Sequence, residues 1–143
     1  MDRERILAKL DSLEKYLEQL HAIKPHSFEE YTGKLEKRMS CERLLHLLIE
    51  TTMDTCYLLV KELQLGLPAG DESVIQKLTG VFSPALIEKL RGMKRLRNIL
   101  VHRYDEILDD RIFAILEENL DDFRVFKRET ITVLERVHKK VTG

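Results

Sequence analysis

The chain has 143 residues, of which 43% are hydrophobic, 34% charged and 6% aromatic, with six Gly, three Pro and two Cys. A formal net charge of -1 excludes a polycation, so any attraction for nucleic acid has to come from a local patch. The length is that of one domain, 1–143, with enough apolar residues for a moderate core.

Met1-Asp-Arg-Glu-Arg5 leads straight into an amphipathic pattern rather than a signal peptide, and no apolar run approaches a membrane span. A cytoplasmic protein without membrane association is expected. From residue 3 to 22, Ile6, Leu10, Leu13, Leu17 and Leu20 recur at 4-3-4-3 spacing, the stripe of a helix laid on a bundle. Pro25 ends it. Ser27-Phe-Glu-Glu30 matches a capping box for a short turn, after which Thr32-Gly33 allows a restart.

The longest segment runs from Lys34 to about Leu65. Leu45, Leu48, Ile49, Thr52, Cys56, Leu59, Val60 and Leu63 form one stripe, and Leu44, Leu47 and Leu58 a second. A helix apolar on two sides sits at the centre of a bundle or carries a subunit interface. Cys41 and Cys56 share this helix about 22 Å apart at ~1.5 Å per residue, too far to bond to each other, and read as packed thiols in a reducing compartment. Glu50 and Asp54 are acids within its mostly apolar middle.

Gly66-Leu-Pro-Ala-Gly70 is a clear loop. A short helix follows from Asp71 to Thr79, closed by Gly80, and Ser83-Pro84 supplies an N-cap and first-turn proline for a helix reaching about Tyr104. A last long helix is predicted from near Asp109, with Ile112, Leu116, Leu120, Phe123, Phe126, Leu134, Val137 and Val141 inward. The fold class is an all-α bundle of four main helices plus one short helix.

The chemistry concentrates in Arg91–Tyr104, RGMKRLRNILVHRY. Arg91, Lys94, Arg95, Arg97 and Arg103, with Lys89 just before them, interleave with Met93, Leu96, Ile99, Leu100 and Val101, and no acid intervenes. Arg97, His102 and Tyr104 stand in the pattern R-x4-H-x-Y, with Asn98 after the arginine. A permanent cation, a titratable imidazole and a phenol suit work on a phosphodiester. His102 would take the proton from an RNA 2′-hydroxyl, and Arg97 would hold the scissile phosphate bidentately. Asn98 would support that phosphate, while Arg91, Lys94, Arg95 and Arg103 would hold the flanking backbone by charge.

On one helix, however, Arg97 and His102 lie ~140° apart, so acting together requires a cleft fed by a second helix or subunit. A solvated basic face is the plainer account of such a stretch. There is no CxxC, HExxH or phosphate-binding loop, and His21, His26, His46 and His138 form no ligand spacing, so no metal and no cofactor are expected.

RNILVHRY, preceded by LRGMKRL, resembles the signature of the HepT-type toxins of the HEPN superfamily. The long second helix, the GLP loop, the short helix, the Ser-Pro start and the Asp/Phe-rich last helix follow that family's order across nearly the whole chain. The resemblance implies a homodimeric helical ribonuclease of a toxin–antitoxin pair, whose cleft combines the Arg and His of both subunits and cuts tRNA or mRNA without a metal. It also implies an MNT-type nucleotidyltransferase antitoxin that transfers AMP to the motif tyrosine, here Tyr104, blocking the cleft and repelling RNA. An acid from the second helix is expected beside the arginine: Asp54, with Glu50 behind it.

After Tyr104 the charge reverses through Asp105, Glu106, Asp109, Asp110, Glu117, Glu118, Asp121 and Asp122, acids that suit helix starts or a basic partner. The alternative reading is a non-catalytic helical module that binds substrate or nucleotide for a partner nucleotidyltransferase, using Arg97 and Tyr104 as contacts. A plain dimeric scaffold would leave the basic stretch idle.

Overall fold

The computed structural model describes residues 2–101 and 107–142, with side chains for 2–101 and 109–139. Seven helices run in order among them: α1 (Asp2–Ile23), α2 (Phe28–Gly33), α3 (Leu35–Glu62), α4 (Asp71–Lys77), α5 (Pro84–Val101), α6 (Ile107–Glu118) and α7 (Asp121–Thr142). No described helix is long and apolar enough to cross a membrane.

The two-sided helix is the centre of the bundle. α3 touches α1, α2, α4, α5 and α7, and Leu45, Leu48, Ile49, Met53, Cys56, Leu59 and Val60 are buried along it. Both cysteines are buried and free. α1 lies antiparallel on α3, since Asp2 pairs with Lys61 at 3.6 Å and Lys9 with Asp54 at 3.3 Å. Its stripe from Ile6 to Leu20 is buried in full. α7 returns along α1 and α5, held by Lys127–Glu14 and Lys89–Asp122 pairs and by Arg3, whose Nη1 donates to the Leu134 carbonyl at 3.0 Å.

Two starts were legible from local chemistry. Ser27 Oγ accepts from the Glu30 backbone N–H at 3.1 Å, while Glu30 reaches back to accept from the His26 N–H at 3.0 Å, so α2 is capped at both positions. Ser83 Oγ accepts from the Leu86 N–H at 3.2 Å and donates to Glu129 Oε2 at 2.7 Å, tying the head of α5 to α7.

The predicted single last helix is two. The chain breaks at Asn119–Leu120, where the Asp122 N–H bonds back to the Asn119 carbonyl at 3.1 Å. Glu117 and Glu118 oppose the dipole at the end of α6, whereas Asp121 and Asp122 favour it at the start of α7. The apolar run Leu116, Leu120, Phe123 continues through the break into the core and hides it in the sequence. The short turn expected after Ser27 is the six-residue α2, and the last helix is divided into α6 and α7, so the described residues hold seven helices.

A candidate phosphate-handling site around Arg97

α5 is amphipathic: Leu86, Ile87, Leu90, Met93, Leu96 and Leu100 go inward, which leaves Arg97 at the edge of that face. There the guanidinium is partly buried and meets two acids from two other helices. Its Nη2 forms an ion pair with Asp71 Oδ2 of α4, and its Nη1 stands 3.5 Å from Glu50 Oε1 of α3. Tyr57, two turns beyond Glu50 on α3, donates its hydroxyl to the other Asp71 oxygen at 2.9 Å. His46, one turn before Glu50, places Nε2 3.4 Å from the same Glu50 oxygen that faces Arg97.

His46, Glu50 and Tyr57 fall on one stripe because residues four and seven apart align on a helix. Asp71 arrives from elsewhere. Gly70, at φ +108, turns the chain into α4 in a conformation that side-chain-bearing residues rarely adopt, and the buried Val74 and Ile75 fasten that short helix to the core. The Asp71 carboxylate also helps burial push the Cys56 thiol beneath it upward in pKa. Burial, then the bond to Asp71, raises the Tyr57 phenol as well, so Tyr57 stays a donor at neutral pH.

Asp54, expected beside the arginine, lies instead against Lys9 of α1. Asp54 is only ~40° around α3 from Glu50, but α1 packs along that side and supplies a cation there. Glu50 and Asp71 hold the place that Asp54 was assigned. Asp71 reads in sequence as an ordinary first-turn acid, and its only signal is its position directly after a glycine turn.

The basic stretch is also less bare than it reads. Glu72 accepts from Arg91 Nε at 3.1 Å and from Lys94 Nζ at 2.9 Å, and Glu88 takes a second Arg91 nitrogen at 3.1 Å. Those bonds hold the Glu72 carboxyl below its ordinary pKa. Lys89 is occupied by Asp122, and Asp109 by Arg38. Arg95 and Asn98 are exposed. His102, Arg103 and Tyr104, together with Asp105 and Glu106, lie outside the described residues.

Beside this cluster a groove of about 740 Å³ opens between the end of α1, the first turns of α3 and the end of α5. Gln19, Ser40, Arg43, His46 and Leu100 line it, so it passes from His46 to the last turn before His102. A partly buried guanidinium such as that of Arg97 can hold an anion, provided that the anion displaces one of its carboxylates.

Comparison with known proteins gives the arrangement a context. The profile of a family described as "Ribonuclease HepT-like" matches residues 13–130. The chain is 25% identical over 126 residues to a protein of Aphanizomenon flos-aquae named tRNA nuclease HepT, covering 87% of this chain and 86% of that protein. Its fold is similar to a tri-AMPylated HEPN toxin of Shewanella oneidensis solved in complex with an MNT antitoxin, with a TM-score of 0.81 at 21% identity over 89% of this chain and 96% of that one. A toxin–antitoxin structure described as a MntA-HpeT mutant superposes with a TM-score of 0.80 at 21% identity, covering 89% and 97% of the two chains.

Proposed function

This chain belongs to the HepT-like ribonuclease family, and from that premise we propose that it is the toxin of a toxin–antitoxin pair, an endoribonuclease acting on tRNA or mRNA as a single HepT-like domain. The observation that carries the reading is Arg97, a partly buried guanidinium whose two terminal nitrogens face Asp71 and Glu50, acceptors that it shares with Tyr57 and His46.

In the reaction, the 2′-hydroxyl attacks the adjacent phosphorus. The new O2′–P bond forms as the P–O5′ bond breaks. His102 takes the 2′-proton and, as imidazolium or through its counterpart, a proton reaches the departing 5′-oxygen. The products are a 2′,3′-cyclic phosphate and a 5′-hydroxyl. No metal is required, because Arg97 balances the charge on the pentacoordinate phosphorus. DNA is spared for want of a 2′-hydroxyl.

Residues five apart would lie ~140° apart if one helix carried both Arg97 and His102, which favours a homodimer whose cleft gathers the motif from two subunits. The partner is an MNT-type nucleotidyltransferase antitoxin, and Tyr104 is the residue it modifies with AMP. Each AMP adds a phosphodiester charge next to the arginine that RNA needs. The Shewanella oneidensis toxin, tri-AMPylated and in complex with an MNT antitoxin, supports this part of the reading.

The test is cleavage of total tRNA in EDTA by dimeric protein free of AMP by intact mass, beside Arg97→Ala and His102→Ala. Cleavage lost in both variants, leaving cyclic phosphate ends, is the expected result. No cleavage by the unmodified wild type, with nucleotide binding retained, would instead favour the non-catalytic binding module.

A further inference from the structure

We propose that Asp71, backed by Tyr57, is the positioning residue that sets the plane of the Arg97 guanidinium for the scissile phosphate. The inference rests on the reading of Arg97 as the group that holds that phosphate.

Two carboxylates reach Arg97, and they are not equivalent. The Asp71 side chain is 19% exposed against 41% for Glu50. Asp71 sits on a short side chain at the first turn of α4, and its second oxygen is fixed by the Tyr57 hydroxyl at 2.9 Å. Glu50 stands farther off, at 3.5 Å, on a longer side chain, and it is shared with His46 at 3.4 Å. An incoming phosphate therefore displaces Glu50, which keeps His46 as an alternative partner, and leaves Asp71 in place. Arg97 has five N–H donors in a rigid fork, so one edge can stay on Asp71 while another turns to the phosphate.

A plain staple between α4 and α5 is the competing account. That task is already done one residue along, where Glu72 bonds both Arg91 and Lys94. A further, partly buried anion beside an anion-binding group works against ground-state RNA binding, and orientation of the fork is what it offers in return. The two accounts differ in signature. A positioning residue lost from the site lowers turnover without weakening substrate binding, whereas a lost staple lowers thermal stability and leaves the geometry of the survivors intact.

The experiment compares wild type, Asp71→Asn, Asp71→Glu and Tyr57→Phe by two readouts. One is kcat and KM for tRNA cleavage. The other is the rate at which phenylglyoxal modifies Arg97, followed by peptide mass. Asp71→Asn should lower kcat by about ten- to a hundredfold with KM unchanged or lower, and Asp71→Glu should recover part of it. Arg97 should be modified faster in Asp71→Asn and in Tyr57→Phe. Wild-type kcat in Asp71→Asn, or wild-type modification of Arg97 in both variants, overturns the proposal. If Asp71→Asn does not fold, Tyr57→Phe, at a partly exposed position, carries both readouts. If wild type itself fails to cleave, the nuclease reading falls, and the modification rates alone decide whether Asp71 holds Arg97.

Discussion

Asp71 and Arg97 stand 26 positions apart in the chain and meet as a carboxylate–guanidinium pair across α4 and α5. The pair joins an arginine of the basic stretch, which also faces Glu50 of α3, to an acid that no motif contains. Most consequences for the site follow from what else touches these two side chains.

Arg97→Lys should behave almost as badly as Arg97→Ala. An ammonium is a compact point charge and cannot hold Asp71 with one edge and a phosphate with another. A loss of about 10²- to 10³-fold in kcat/KM for tRNA is expected, the scale for removing an oriented charge-stabilising donor. Steady-state cleavage by both variants checks it, and a lysine enzyme within tenfold of wild type would mean that charge alone suffices.

Asp54→Ala should be nearly silent. Its pair with Lys9 is a surface contact with both side chains largely in water, at 40% and 52% exposure, worth less than about 1 kcal/mol. Cleavage and melting temperature should both stay close to wild type. Glu50→Gln is the contrasting variant: it removes the displaceable anion from Arg97 and should lower KM for RNA. Equal effects of the two substitutions in a side-by-side titration would contradict the placement of Glu50 rather than Asp54 at the site.

Glu72→Gln should steepen the salt dependence of RNA binding. In the wild type this carboxylate occupies both Arg91 and Lys94, which keeps two cations from phosphates. Freeing them adds up to two backbone contacts, each worth about 0.7 in the slope of log K against log salt for a single strand. Fluorescence anisotropy of a labelled single-stranded RNA between low and moderate salt reads the slope. An unchanged slope would show that those two cations do not face RNA.

Glu30 makes the fold sensitive to acid at α2. The bond from Lys37, then that from the His26 N–H, lowers the Glu30 carboxyl from its ordinary value to about 2. A carboxylate depressed in the folded state stabilises above its unfolded pKa of about 4.5, and this contribution is lost as the pH falls from there towards 2. Glu30→Gln should therefore melt below wild type near pH 6, with the gap closing between about pH 4.5 and 2. Thermal melts across that range measure it; a gap independent of pH would assign the loss to capping geometry instead.

How far the sequence carried these conclusions differs by element. The stripe from Ile6 to Leu20, the two-sided α3, the Ser27 cap and the Ser83-Pro84 start are local patterns, and each produced the element expected of it. The α6–α7 break is hidden in the sequence because Leu116, Leu120 and Phe123 keep one apolar stripe across it, although the paired acids on either side of Asn119 are a readable sign.

By itself the sequence determined that this is an all-helical chain with a long helix apolar on two sides and a basic, amphipathic stretch on α5 that contains Arg97. Periodicity is a property of neighbours in the chain, and a helix's own residues decide which of its sides is apolar. Only the tertiary structure decided which acid faces Arg97 and which cations of the stretch are already paired. Glu50 and Asp54 differ by a small rotation on one helix, and the packing of α1 beside one and α5 beside the other separates them. Asp71 and Glu72 come from a short helix whose placement depends on a glycine turn and two buried side chains. Ion pairs are matters of a few ångströms between distant segments, and no local pattern in the chain encodes that distance.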